Sequence, residues 1–196
     1  ALLMPEQFFI PTSKRQVDIN GSLIIPMINE RRELVNSQVI KPDGFKMFLL
    51  DGQVIGAFHL IGRPKKGELI LLGEGFATMD TLRNATGLAC VVAFNAGNLS
   101  AVCGIIKYLY PDNEIVITGD NDHHNNNKPV GNDGLKKAFS CSTDHGVRFE
   151  IPPELKGVSD FNDFDVINGR YALINLLTEL RVIDKLKAKC NYQPVN

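Results

Sequence analysis

Several well-known signatures of chemistry and of location are missing from this sequence of 196 residues. It has no G-x-x-x-x-G-K-[ST] phosphate loop, no G-x-S-x-G nucleophile elbow and no complete G-x-G-x-x-G dinucleotide fingerprint. No apolar run is long enough to span a bilayer. The first residues have neither the basic region nor the long apolar region of a signal peptide. We therefore expect a cytoplasmic protein that uses none of these three motifs.

Cysteine is scarce and scattered. The four cysteines are Cys90, Cys103, Cys141 and Cys190. None forms a C-x-x-C pair, so the sequence does not encode a zinc ribbon. We expect the cysteines to behave as small buried hydrophobic residues in a reducing compartment. His123 and His124 are adjacent, but neighbouring loop residues seldom bind one ion together, so they are weak candidates for metal ligands.

The net charge of −1 conceals a segregation of charge along the chain. Residues 1–66 carry a balance of +3, residues 67–168 a balance of −7 and residues 169–196 a balance of +3. An acidic middle with basic flanks fits a metal site beside surfaces that hold a polyanion. Balances of this size also occur on ordinary solvated faces.

The hydrophobic pattern predicts an α/β protein with a mostly parallel central sheet flanked by helices, preceded by a small antiparallel β subdomain. Strands alternate with helices from residue 68 to residue 151, which is typical of a parallel sheet. Asp51-Gly52 lies between two apolar runs and predicts a β-hairpin. Apolar residues at helical spacing predict one helix from Arg170 to Lys189.

Four segments follow from these patterns. We predict a tail or interdomain segment at 1–19, a basic antiparallel β subdomain at 20–66, a metal-binding α/β domain at 67–168 and a C-terminal helix at 169–196.

Two apolar runs end in glycine followed by carboxylates. Glu74 follows the first run, and Asp120 and Asp122 follow the second. If the two strands are parallel neighbours, these carboxylates converge on one edge of the sheet, where open α/β sheets bind ligands. Carboxylates brought together repel one another unless a cation lies among them. Because Mg²⁺ takes one or two carboxylates together with substrate phosphates, the pattern predicts a magnesium site for phosphate chemistry.

Each acid also has a simpler interpretation. The Gly-Glu-Gly stretch around Glu74 can be a turn with an exposed acid, and Asp120 and Asp122 can form Asx-turn hydrogen bonds. Asp160 either caps a helix, with Asp163 in the first turn, or joins the site as a fourth acid.

Basic residues near these segments form a second candidate set. They are Lys46, Arg63, Lys65, Lys66, Lys128 and Lys136. They either belong to a solvated face or contact the phosphates of a nucleic acid or a nucleotide.

The two segments in which a glycine is followed by carboxylates, and the spacing between them, resemble the Toprim domain of bacterial-type primases, topoisomerases and some nucleases. Glu74 stands in a strand-to-helix turn, and Asp120-Asn121-Asp122 follows a βαβα pattern. The β unit before them is similar to the subdomain that precedes Toprim in bacterial DNA primases. Four motifs look closest to primases of plasmids, phages and other mobile elements: Asn98-Leu99, Asp120 to His123, Gly134 to Ala138 and Asp160 to Asp163.

The resemblance implies a nucleotidyltransferase that makes short RNA primers on single-stranded DNA. It implies that Glu74 acts as general acid/base or metal ligand, that Asp120 and Asp122 coordinate Mg²⁺ or Mn²⁺, and that Asp160 is a further acid. Lys46 would contact the template or the nucleotide. The implied partners are a single-stranded DNA template, nucleoside triphosphates, and a replicative helicase or a separate zinc-binding or helicase domain.

Two alternatives stay open at this point. One is a Toprim nuclease or topoisomerase-like enzyme of phosphodiester chemistry, although no tyrosine has the context of a nucleophile. The other is a nucleic-acid-binding module without catalysis.

Overall fold

The computed structural model describes residues 2–3, 9–11, 16–121 and 133–184. It divides the chain into two compact units, Ala1–His59 and Leu60–Asn196. The sequence pattern suggested a boundary after Lys66, where the basic link ends, and the structural division falls earlier.

The first unit is built from short antiparallel strands. They are β1 (Leu2–Leu3), β2 (Phe9–Pro11), β3 (Gln16–Asp18), β4 (Leu23–Ile28), β5 (Leu34–Ile40) and β6 (Lys46–Phe48). Strands β1, β4, β5 and β6 form one sheet in that order, and β2 pairs with β3. Ile25 and Met27 point to the same side of β4 and are fully buried, as is Val39 on β5. The predicted antiparallel subdomain is confirmed.

The hairpin predicted at Asp51-Gly52 is wrong. Residues 53–58 form no strand, and the next strand, β7 (His59–Ile61), belongs to the five-stranded sheet. The side chain of Asn36 explains the interruption, because its Oδ1 accepts a hydrogen bond from the backbone N–H of Leu49 at 3.2 Å. Gly52 lies against the same side chain, and a Cβ there would stand 2.3 Å from Asn36 Cγ. After β6 the chain instead stays beside β5, because the backbone N–H groups of Leu49 and Gln53 donate to Ser37 O and Val35 O, both at 3.2 Å.

The second unit alternates strands with helices. Its elements are β8 (Ile70–Gly73), α1 (Phe76–Thr86), β9 (Ala89–Val92), α2 (Leu99–Leu109), β10 (Ile115–Thr118), α3 (Asp133–His145), β11 (Arg148–Glu150), α4 (Phe161–Asn168) and α5 (Arg170–Glu179). The sheet has the order β11-β10-β8-β9-β7, and its first four strands are parallel. Strands β8, β9 and β10 are buried at every position, as expected of parallel strands covered on both faces. The predicted α/β fold class is confirmed.

The connections place helices on both faces of this sheet. The chain moves from β8 to β9 in one direction and from β9 to β10 in the other. Because such crossovers are right-handed, α1 lies on one face while α2 and α3 lie on the opposite face. The packing agrees with this arrangement, since α1 contacts α4 and α5 while α2 contacts α3.

The last described helix is shorter than predicted. Helix α5 ends at Glu179, because Arg181 adopts a left-handed conformation with φ 54°. The backbone N–H of Val182 then donates to Leu177 O at 2.8 Å, and that of Arg181 donates to Thr178 O at 3.1 Å. This is a Schellman motif built without glycine, so the usual glycine signal for the end of a helix is absent here. The predicted residues 185–189 lie outside the described residues. Among the described residues, every helix falls short of a membrane span in length or in hydrophobicity.

Gly73, the last residue of β8, is required by close packing. A Cβ at this position would stand 2.5 Å from Met79 Sδ and 2.8 Å from Thr118 Oγ1. Real Cβ atoms do not approach other atoms so closely, so Met79 on α1 and Thr118 on β10 would have to move.

We expect Gly73→Ala to lower the free energy of unfolding by about 1–3 kcal/mol, the range found for overpacked cores. Gly134→Ala is the matched control. Among the described residues its added Cβ meets Glu74 Oε1 alone, at 3.5 Å, and alanine in a helix raises stability by up to about 1 kcal/mol. Urea unfolding of the two variants checks the opposite signs. A Gly73→Ala protein as stable as the parent would contradict the packing described.

Candidate active site

The carboxyl edge of β8 and β10 is the point where the sheet changes direction. These two strands are neighbours in parallel register, with Gly73 opposite Thr118. The helix that follows β8 and the helix that follows β10 lie on opposite faces, so a crevice opens between the two strand ends. Open α/β sheets bind their ligands at such a switch point.

Glu74 lies at this edge, directly after β8. The next residue, Gly75, is the N-cap of α1, with an extended backbone at φ −93° and ψ 136°. Glu74 is therefore the residue directly before the N-cap of α1. Glu74 Oε1 also lies 3.5 Å from the position that a Cβ on Gly134 would take. The side chain thus reaches across the crevice to the first turn of α3.

Asp120 lies at the same edge, directly after the Gly119 that follows β10. The Gly119 N–H donates to Glu150 O at 2.9 Å, which continues the pairing of β10 with β11 beyond the strand. The N–H of the buried residue Asn121 donates to Ser159 O at 2.6 Å. Asp120 is thereby held between two backbone anchors.

Asp160 is the N-cap of α4. Its Oδ1 accepts from the Asp163 N–H at 2.8 Å, and its Oδ2 accepts from Thr78 Oγ1 at 2.7 Å. Asp163 in turn accepts from the backbone N–H of Ser159 at 3.1 Å and from its hydroxyl at 2.6 Å. The helix-cap interpretation of Asp160 therefore describes its contacts, and these contacts also bring it to α1 and to the loop after β10.

Sequence reasoning missed the polar side chains that hold this arrangement together. Thr78 and Thr81 stand one turn apart on α1 and are only 4% and 8% exposed. Thr78 bonds to Asp160, and Thr81 Oγ1 donates to Asn162 Oδ1 at 2.8 Å. The i, i+3 spacing of the two threonines, on a side of the helix that is otherwise apolar, could have indicated that both hydroxyls are buried and have partners.

The donor chemistry at this edge fits a hard divalent cation, because carboxylate oxygens are the ligands that Mg²⁺ prefers. Among the described residues, however, no three carboxylate oxygens of different residues lie within 4.8 Å of one another. Glu74, Asp120 and Asp160 share the edge without forming a closed cage. Mg²⁺ suits such an open arrangement, since it usually keeps several waters and uses one or two carboxylates. Asp122, His123 and His124 lie outside the described residues.

Lys65 and Lys66 lie at the other edge of the sheet, immediately before β8. Lys66 Nζ is 3.1 Å from Asp112 Oδ2, and Lys65 Nζ is 3.8 Å from Glu68 Oε1. Strand β8 has four residues, so about 13 Å separates these lysines from the edge that holds Glu74. The structure therefore does not bring them to the carboxylates.

The other predicted basic residues have different positions. Arg63 is exposed in the same link as Lys65 and Lys66, and Lys46 is exposed at the start of β6 in the first unit. Lys136 is exposed on α3, two residues after Gly134, and so lies at the end of α3 that meets Glu74. Lys128 lies outside the described residues. Lys136 alone of the described basic candidates is placed near the carboxylates within one unit.

Comparison with solved structures identifies the fold. A DnaG primase catalytic domain bound to single-stranded DNA aligns with a TM-score of 0.59 and 12% identity, over 87% of this chain and 55% of that one. The Aquifex aeolicus primase, with zinc-binding and RNA polymerase domains, aligns with a TM-score of 0.54 and 15% identity, over 87% and 43%. The bacteriophage T7 primase fragment gives 0.51 and 14%, over 78% and 61%.

The chain has the fold of a primase catalytic domain. Curated relatives agree: two proteins named DNA primase TraC, both from Escherichia coli, are similar to it. One is 38% identical over 118 residues, which is 59% of this chain and 11% of that protein. The other is 33% identical over 131 residues, which is 65% of this chain and 9% of that protein. The chain thus spans about a tenth of the length of these relatives. No model of a known protein family matches it.

The resemblance to primase cores that the sequence motifs indicated is confirmed by these comparisons.

The two buried threonines of α1 allow a test of the contacts around Asp160. Thr78→Val removes a hydrogen bond to a carboxylate, and we expect a loss of about 1.5–3 kcal/mol in the free energy of unfolding. Thr81→Val removes a neutral hydrogen bond to Asn162, so its loss is expected to be about 0.5–1.5 kcal/mol. Valine keeps the shape of threonine in both cases. Urea titrations of the two variants measure the difference, and a larger loss for Thr81→Val would contradict the described role of Asp160.

Proposed function

We propose that this chain is the catalytic core of a DNA primase, which joins ribonucleotides into short primers on single-stranded DNA. The observation that carries the proposal is the pair of acids at the switch point. Glu74 and Asp120 follow neighbouring parallel strands in a fold shared with primase catalytic domains. The sequence similarity to DNA primase TraC supports the same assignment.

In this proposal the site is a Toprim centre. Glu74 acts as general acid/base or metal ligand, Asp120 and Asp122 hold Mg²⁺ or Mn²⁺, and Asp160 supplies a further carboxylate. When bound, the metal ion would neutralise the triphosphate and help to activate the 3′ hydroxyl. The hydroxyl oxygen forms a bond to the α-phosphorus of the incoming nucleoside triphosphate, and pyrophosphate leaves.

The chain's own residues have distinct tasks in this reaction. In the proposal Glu74 takes the proton of the attacking hydroxyl, and its position after β8, at the edge it shares with Asp120, supports this role. Asp160, held by Thr78, keeps α4 and α1 together beneath the site. Lys136, on the first turns of α3, is the basic residue best placed to contact a phosphate within the second unit.

The template is assigned to the other basic residues of the candidate set. We propose that Lys46 contacts the template or the nucleotide, and that Arg63, Lys65, Lys66 and Lys128 contribute to holding nucleic acid. The amino-edge lysines, Lys65 and Lys66, would act on a longer strand rather than on the reacting phosphate, because β8 separates them from Glu74. A replicative helicase or a separate zinc-binding or helicase domain is the proposed protein partner.

We expect Glu74→Gln and Asp120→Asn, made in the intact protein, to lower metal-dependent primer synthesis by about 100-fold or more. Each change removes a charge while keeping the shape of the side chain, so the far-ultraviolet circular dichroism spectrum should not change. Glu68→Gln is the matched control, because Glu68 lies before β8 at the opposite edge and pairs with Lys65. Primer yield is measured with labelled nucleotides on single-stranded DNA.

The same assay separates the alternatives. Labelled single-stranded DNA is incubated with Mg²⁺ in the presence and absence of nucleotides. Extension that needs nucleotides supports the primase, whereas cleavage without nucleotides would indicate a nuclease. Undiminished primer yield from both acid variants would refute the assignment of the site.

A further inference from the structure

A second cluster of potential metal ligands lies between α2 and α3, away from the carboxylates. The Sγ atoms of Cys103 and Cys141 and a ring nitrogen of His145 all lie within 4.8 Å of one another. Cys103 is on α2, while Cys141 and His145 are one turn apart on α3 and therefore share one face of that helix. The cysteines are 0% and 2% exposed, and His145 is half-buried at the rim.

The side chains around His145 hold its ring in place. Ser100 Oγ lies 2.9 Å from Nε2 of His145, and Lys107 Nζ donates to the backbone O of His145 at 2.5 Å. Gly104 leaves room for the ring, since a Cβ there would stand 3.4 Å from His145 Cε1. Histidines that bind metals commonly donate their other ring N–H to a neighbouring oxygen. If Nε2–H donates to Ser100 Oγ, Nδ1 is the ring nitrogen left to bind a cation.

We propose that Cys103, Cys141 and His145 form a binding site for a soft divalent transition metal of the zinc class. Two thiolates and one imidazole are a typical zinc donor set, and they differ in kind from the carboxylates at the switch point. Three protein ligands leave a fourth position for a water molecule, and His145 marks the side from which solvent reaches the site.

The two thiols already interact. A hydrogen bond from the Cys103 thiol to the Cys141 sulfur lowers the pKa of Cys141 and raises that of Cys103. Lys107 acts in the opposite direction on Cys103 and favours its thiolate. A metal ion would replace the shared proton, because it binds both sulfurs in their deprotonated form.

The site would act as a clamp between two helices of the same face. It lies at the C-terminal end of α3, and Gly134, next to Glu74, lies in the first turn. These two ends are about 16 Å apart along the helix. The bound ion would therefore fix α2 against α3 and would not take part in the chemistry at Glu74.

Zinc retention tests the proposal. The 196-residue chain is kept under a phosphine reductant, loaded with Zn²⁺, freed of excess metal by gel filtration and analysed by elemental mass spectrometry. We expect about one zinc ion per chain. Cys141→Ser should lose it, whereas Cys190→Ser, the same change outside the described residues, should retain it. No retained zinc in the parent, or equal retention in parent and Cys141→Ser, would overturn the proposal.

Two further measurements guard against a variant that merely fails to fold. Ser100→Ala changes an exposed hydroxyl and should weaken zinc affinity by about 10-fold through loss of the bond to His145. Ser140→Ala, an exposed serine on α3, should leave affinity unchanged. Loading the parent with Co²⁺ should produce a thiolate-to-metal charge-transfer band, and its absence would overturn the thiolate ligation.

Discussion

The pairing of β8 with β10 is the constraint on which the candidate active site depends. The two strands run parallel in register, and Gly73 meets Thr118 so closely that no side chain fits between them. This contact brings the residues after each strand to one edge. The chain runs from β8 to β9 in one direction across the sheet and from β10 to β11 in the other. The helices that follow β8 and β10 therefore lie on opposite faces. Glu74 and Asp120 therefore share a crevice, although two helices and two strands separate them in sequence.

A network of part-buried hydrogen bonds then connects α1, α4 and the residues after β10 at this edge. Thr78 on α1 and the N–H of Asp163 both use the carboxylate of Asp160, while Asn121 bonds to the backbone of Ser159. The same acid thus caps a helix and lies beside the crevice. These two interpretations competed when only the sequence was considered, yet they are compatible in space. A carboxylate held on two sides loses little conformational freedom if it also binds a ligand, which suits the proposed primase chemistry.

The second unit carries two donor sets of opposite chemical character. Hard carboxylate oxygens lie at the carboxyl edge of the sheet, and soft sulfur and imidazole donors lie between α2 and α3. Helix α3 connects them, with one end near Glu74 and the other at His145. The separation matters physically, because a soft metal and a hard metal would each find a distinct site. The proposed clamp and the proposed catalytic ion would therefore not compete for ligands.

The sequence by itself determined the fold class and the position of the acids at strand ends, because buried parallel strands are recognisable as short apolar runs followed by glycine. It also carried the motifs of the primase cores, a resemblance that the comparisons confirm. Only the tertiary structure decided which features meet. It separated Lys65 and Lys66 from the carboxylates and ended α5 at Glu179. Gly52 contacts Asn36 where a hairpin was expected. On α1, Thr78 is hydrogen-bonded to Asp160. It also brought Cys103 to Cys141 and His145, which no local spacing could indicate, since the ligands come from two helices. Local patterns report burial and turns, whereas contacts between distant side chains depend on strand order and on the faces that the helices occupy.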